Sequence, residues 1–166
     1  MYWLALLWNL LILWLLWDLL PEPAAWSLAG LLGFWAFYRV FGERYRVRRA
    51  LRRVDHLDGR QFEVLLARIF RGRGWRVEIT SGGKDFGADL ILTKRRRRVA
   101  VQAKHLTSRN AGNEAVQQAI AGASYYECDR AMVVTTAQFT DSAVKQADRA
   151  DIKVELIDME DLWRLV

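Results

Sequence analysis

A chain of 166 residues has room for one domain of ordinary size and a small appendage, and its single cysteine, Cys128, excludes an internal disulfide. The formal net charge of +6 is unevenly placed: residues 39–109 hold 20 basic and 7 acidic side chains, residues 110–166 hold 5 and 10, and residues 1–38 contain no Lys or Arg. A half so basic points to a polyanionic partner, either nucleic acid or an anionic membrane surface.

In chain order, YWLALLWNLLILWLLWDLL (2–20) is a nearly unbroken apolar run, close to the ~20 residues that span a bilayer. Pro21 and Pro23 interrupt it, and AWSLAGLLGFWAFYRVF (25–41) is a second, shorter run. Ala25, Ala29 and Gly33 form a small-residue stripe on which two helices can pack closely, and Trp and Tyr cluster near the ends of the runs. RYRVRRALRR (44–53) follows, with six Arg and no acid. The expectation is a transmembrane helical hairpin over residues 1–41 and a basic juxtamembrane linker over 42–57 that meets anionic lipid. The positive-inside rule then puts both termini in the cytoplasm, in an integral inner-membrane protein. Asn9, mid-span, would hydrogen-bond to the partner helix or to another copy, so a homo-oligomer belongs to the expectation. A secretory signal would need a basic leading region, which is missing, and a buried soluble hairpin conflicts with the all-round hydrophobicity.

Residues 58–166 read as a soluble domain. DGRQFEVLLARIFRGRG (58–74) is a helix with Phe62, Leu65, Leu66, Ile69 and Phe70 on one stripe. WRVEIT (75–80) is a strand, SGGKDFGA (81–88) a Gly-rich loop, and DLILT (89–93) and VAVQAKH (99–105) are strands around the tip KRRRR. Then come a helix (114–126), a buried-type strand (130–136), a helix capped by Thr140 or Asp141 (140–151), a strand (152–158) and a terminal helix capped by Asp158 (159–166). The order α-β-β-β-α-β-α-β-α predicts an α/β fold: a mixed sheet flanked by helices, with a meander first and helix crossovers after it.

The two strands around KRRRR carry an unusual face. Alternation puts Gln102 and Lys104 on one side of VAVQAKH. A four-residue loop, Lys94 to Arg97, pairs Thr93 with Arg98 and brings Asp89 opposite Gln102, with Cβ atoms about 5 Å apart. A carboxylate, an amide and an ammonium then converge. Such a group suits a hard cation, Mg²⁺ or Mn²⁺, with Asp89, the Gln102 side-chain oxygen and the Ala103 carbonyl as ligands. Lys104 would orient or deprotonate a water, or offset charge in a phosphoryl transition state, and Glu63 on the preceding helix could hold a water or a second metal. The bland counterpart is an Asp–Lys ion pair on a solvated face. The tip Lys94, Arg95, Arg96, Arg97 and Arg98 could grip phosphates, with a solvated turn as the bland counterpart, and His105, next to the Gln102–Lys104 strand, could touch phosphate or be an ordinary strand-end residue.

GRQFEVLLARIFRGRGWRVEITSGGKDFGADLIL, VAVQAKH and MVVTTAQFTDSAVKQA together resemble the Mrr-type branch of the restriction-endonuclease-like, PD-(D/E)xK nuclease superfamily. The resemblance covers about residues 55–165 and rests on Phe62-Glu63, on Asp85, Gly87 and Asp89, on Gln102 and Lys104, and on TTAQFT (135–140). It implies that Asp89 is the metal-binding acid, that Gln102 replaces the usual Glu, that Lys104 is the catalytic lysine and Glu63 a supporting acid, and that Asp85 shapes the loop. It also implies divalent-metal-dependent hydrolysis of DNA, with defence against foreign DNA as a role. Ala88 stands where the superfamily pattern has Pro, and the DNA-reading domain often fused to such nucleases is replaced by the expected hairpin. The expected protein is thus a membrane-anchored nuclease over residues 58–166. Two alternatives stand beside it: a catalytically weak module holding DNA or RNA at the membrane, and a basic membrane protein that binds anionic lipid.

Overall fold

The computed structural model describes Trp8, residues 22–80 and residues 86–166. The chain divides into two compact units, Met1–Tyr45 and Arg46–Val166. Helix α1 (Glu22–Leu51) is 30 residues long. It accepts Pro23 because a proline in the first helical turn forfeits no intrahelical bond.

The expected transmembrane hairpin is corrected here. Its first run lies outside the described residues except for Trp8, and among the described residues no helix is long and apolar enough to cross a membrane. The physical reason lies in the second run. It mixes Leu and Phe with Ser27, three residues of intermediate polarity (Trp26, Trp35 and Tyr38) and the charged Arg39, and the helix then runs straight into Arg44, Arg46, Arg48 and Arg49. Placing such cations at membrane depth is costly. The integral-membrane localisation with both termini inside falls with the spans. The segment expected to be a linker is helical as far as Leu51, followed by a single 3₁₀ turn, Val54–His56. Val47, Leu51 and Val54 are buried in the core of the second unit.

That second unit is built on a five-stranded sheet in the order β1 (Arg76–Ile79), β2 (Leu90–Lys94), β3 (Arg97–Lys104), β4 (Arg130–Thr135) and β5 (Lys153–Ile157). The first two junctions are antiparallel and the last two parallel. Parallel neighbours need crossovers, and α3 (Asn113–Tyr125) and α4 (Asp141–Asp148) supply them. Helices α2 (Gly59–Gly72) and α5 (Met159–Arg164) complete the predicted order of elements. Asp58 caps α2 in a reciprocal box with Gln61; of the two candidates for α4 it is Thr140 that caps, and Asp158 caps α5 as predicted.

Strand alternation sorts the core into two layers. Leu90, Leu92, Val99, Val101, Met132 and Val134 pack with Phe62, Leu66 and Leu162 on one face. Ile91, Ala100, Ala131 and Val133 meet the alanine-rich α3 on the other. Small residues on both sides of that second layer let α3 lie close to the sheet. The predicted register is observed, with Thr93 opposite Arg98. The turn is tighter than expected: Lys94 pairs with Arg97, so only Arg95 and Arg96 turn the chain, with Arg95 at φ 57°.

Candidate active site

The site is built where β2 begins and β3 ends. Asp89 is stitched between neighbours by its backbone: its N–H donates to Val101 O (2.8 Å) and its carbonyl accepts from Thr80 N (3.0 Å). This continues the β2–β3 register by one residue and brings Asp89 to Gln102. Asp89 is 8% exposed and Gln102 is 6% exposed. One carboxylate oxygen, Oδ2, accepts both from Gln102 Nε2 (2.6 Å) and from Ala103 N (2.6 Å). Two short donors on one oxygen meet the requirement that a buried carboxylate be hydrogen-bonded. Lys104 follows on the same face of β3 by alternation, half-buried, with its carbonyl accepting from Thr136 N (3.2 Å).

Glu63 projects from α2 and is held by Arg60, whose Nη1 lies 2.6 Å from Glu63 Oε2 and 3.4 Å from Thr80 O. Thr80 in turn donates its hydroxyl to Ala88 O (2.6 Å) and its N–H to Asp89 O. A continuous chain of contacts therefore joins Glu63 to Asp89. Arg60 was not among the residues singled out from sequence. Its signal is the i,i+3 spacing to Glu63 on one helix face.

Gly87 and Ala88, just before Asp89, are seated on α3. Gly87 has φ 90°, and a Cβ there would overlap the Gln118 carbonyl oxygen. From the other side, a Cβ on Gly122 would lie 2.7 Å from both Ala88 Cβ and Gly87 O. Both glycines are therefore required by close approach, and Gly87 also by its left-handed backbone. Gly87→Ala is expected to destabilise the fold by about 3 kcal/mol or more through strain plus overlap, read from urea unfolding. Its residual folded fraction should also lose activity, because the backbone that carries Asp89 must shift. Asp85, expected to shape this loop, lies outside the described residues.

The predicted phosphate grip divides. Arg95, Arg96, Arg97 and Arg98 are exposed at the turn. Lys94 is exposed as well, and its Nζ donates to Arg73 O (2.8 Å) and sits 5.7 Å from the Trp75 ring centre. Arg98 is tied by its backbone N–H to Asp129 Oδ2 (2.8 Å). Its side chain reaches Cys128, whose thiol pKa is raised by burial against the opposing pull of that guanidinium. His105 points away from the tip, with Nε2 2.9 Å from Val54 O and its ring 5.7 Å from that of Phe62. In this position it braces the 3₁₀ turn against α2.

Among the described residues no three His, Cys, Asp or Glu side chains are grouped to hold a metal ion. The available donors are oxygens of mixed kind: the Asp89 carboxylate, the Gln102 amide and the Ala103 carbonyl. That set fits a hard, water-retaining cation such as Mg²⁺ or Mn²⁺ and does not fit zinc.

A restriction endonuclease family model of Mrr catalytic type matches residues 54–166. An uncharacterized protein of Sinorhizobium fredii, y4cE, is 35% identical over 98 residues, 56% of this chain and 25% of that one. Among solved structures, the DNA modification-dependent restriction endonuclease AspBHI is similar with a TM-score of 0.57 at 18% identity, over 75% of this chain and 35% of its own. AF1548, a protein of unknown function, is similar with a TM-score of 0.51 at 15% identity, over 63% of this chain and 64% of its own. The chain thus spans a quarter of y4cE and about a third of AspBHI, and the structural likenesses concern the fold.

Proposed function

Because the chain belongs to the Mrr-type restriction endonuclease family, we propose that it is a divalent-metal-dependent endonuclease that hydrolyses DNA phosphodiester bonds. The observation that carries this reading is the buried Asp89 carboxylate, which takes two 2.6 Å hydrogen bonds from Gln102 and Ala103 at a strand end that also bears Lys104. Asp89, Gln102 through its amide oxygen, and Ala103 through its carbonyl would hold Mg²⁺ or Mn²⁺. When bound, the cation supplies positive charge against the phosphate oxygens. Lys104 places an ammonium beside the reacting phosphate, where it offsets the charge that develops as water attacks, or orients that water. Glu63, steadied by Arg60, is the acid that receives or positions a proton from the helix side. Arg95 to Arg98 supply sequence-independent phosphate contacts, so affinity should fall steeply with salt.

A second reading, a nucleic-acid-binding module with weak catalysis, is favoured by one feature: Gln102 brings no charge, and its NH₂ donates to Asp89. Incubating the purified chain with supercoiled plasmid in Mg²⁺, in Mn²⁺ and in EDTA decides between them. Metal-dependent nicking is the expected result. A gel shift in EDTA without nicking in either metal moves the conclusion to the binding module, and RNA competing better than DNA changes the substrate.

A further inference from the structure

Away from the carboxylate, one exposed feature is unlike the rest of the domain. Phe86 and Tyr125 stack face to face, with ring centroids 3.9 Å apart and planes 12° from parallel. Stacked rings each hide one face, yet Phe86 remains 47% exposed and Tyr125 56% exposed, so the outer faces are open to solvent. Tyr126 touches Tyr125 edge-on at 4.9 Å. Phe86 also has φ 44°, a conformation that an aromatic residue rarely adopts. Such strain persists only where the surroundings impose it. Gly87, pressed on the Gln118 carbonyl, imposes it here.

The location gives this stack a ligand. Phe86 lies three residues before Asp89, within roughly 11 Å along the chain. Tyr125 ends α3, and four residues later Asp129 binds the backbone of Arg98 at the basic turn. The aromatic pair is thus joined along the chain to Asp89 on one side and to the residues that hold the basic turn on the other. A strand of nucleic acid with one phosphate at Asp89 and others at Arg95–Arg98 would run beside this pair. An exposed aromatic pair in a domain that also carries an exposed arginine turn can bind unpaired bases: every base has a π-face, and the backbone charge can be met by those arginines. Bases inside a duplex do not offer those faces, because they are stacked and paired.

The geometry points to Phe86 and Tyr125 as a stacking platform for an unpaired nucleobase, giving this domain a preference for single-stranded or locally unpaired DNA. The inference rests on the nuclease reading for the phosphate placed at Asp89, and not for the platform's affinity. It is tested in EDTA with the full chain and a fluorescein-labelled oligodeoxynucleotide, single-stranded and as its duplex. Phe86→Asn keeps a residue that tolerates the left-handed backbone, and Tyr125→Leu keeps the helix. Each should weaken single-strand binding about tenfold and duplex binding by no more than about twofold. In a strand carrying 2-aminopurine, the quenching seen with the wild type should vanish with either variant.

Equal loss for single strand and duplex, no loss for either, or quenching that survives both substitutions overturns the platform. So does a change from dimer to monomer in sedimentation with single-strand affinity intact, which would make the pair a self-association contact. Platform-dependent single-strand binding by a wild-type chain that cuts nothing in Mg²⁺ or Mn²⁺ supports the platform and sinks the nuclease reading. Cleavage without any single-strand preference does the reverse.

Discussion

Asp89→Asn is expected to lower metal-dependent cleavage by a factor on the order of 10³ while leaving the fold nearly as stable as the wild type. The geometry allows that separation. Both observed donors, Gln102 Nε2 and Ala103 N, reach the same oxygen, Oδ2. The single oxygen of Asn can occupy that place and keep both bonds, so what is lost is the negative charge and the second carboxylate oxygen. Asp89→Ala differs, because it strips both donors of their partner in a site only 8% exposed. It should cost about 1–3 kcal/mol in stability as well as the activity. Lys104→Ala should match the Asn variant in lost rate and keep its melting temperature, since the half-buried ammonium is outside both core layers. Initial nicking rates beside thermal melts make the comparison. Wild-type rates in Asp89→Asn or Lys104→Ala would remove these residues from the active site.

Gln102→Glu should have opposite effects with and without metal. In the metal-free chain it sets a second carboxylate where an NH₂ now donates to Asp89 at 2.6 Å. Two carboxylates that close cannot both ionise cheaply, so one of the pair's two titration steps is raised above the usual carboxylate range. The sign follows from linkage. With the folded-state value raised above the unfolded one, the penalty is absent at pH values below both and is felt in full once pH passes the raised value. The metal-free variant should therefore melt progressively lower than the wild type as pH rises from about 5 to 8. Added Mg²⁺ or Mn²⁺ should reverse this, because the extra charge strengthens a hard-cation site. The metal concentration for half-maximal nicking should fall about tenfold, and the thermal shift on adding metal should exceed the wild type's. An unchanged metal requirement together with an unchanged thermal shift would show that residue 102 does not ligand the cation.

Much of this domain is legible without coordinates because its cues are local. Alternation over VAVQAKH sets which side chains share a face, and pairing Thr93 with Arg98 is enough to bring Asp89 to Gln102. The short turn was less legible. The tight-turn signal is Asn-Gly or Asp-Gly, and here an arginine, Arg95, takes the left-handed position, so a longer loop was expected. The membrane expectation failed for a related reason. Counting apolar letters in 25–41 overlooks that Trp, Tyr and Ser dilute the run and that the helix does not stop before the arginines.

The amino-acid sequence by itself determined the order of elements, the two-faced strands, the cap at Asp158, and the meeting of a carboxylate with an amide at one strand end. These follow from periods of two and 3.6 residues and from capping chemistry, which act over a few neighbours. Only the tertiary structure decided that Lys94 is spent on Arg73 and Trp75, that His105 faces Val54, that Arg60 holds Glu63 against Thr80, and that Gly87 and Gly122 meet. Most of those pairings join residues 20 to 51 positions apart, and the glycine contact joins a loop to a helix across one side of the sheet. Their partners are chosen by which layers the sheet brings into contact, and no local rule of spacing or propensity carries that information.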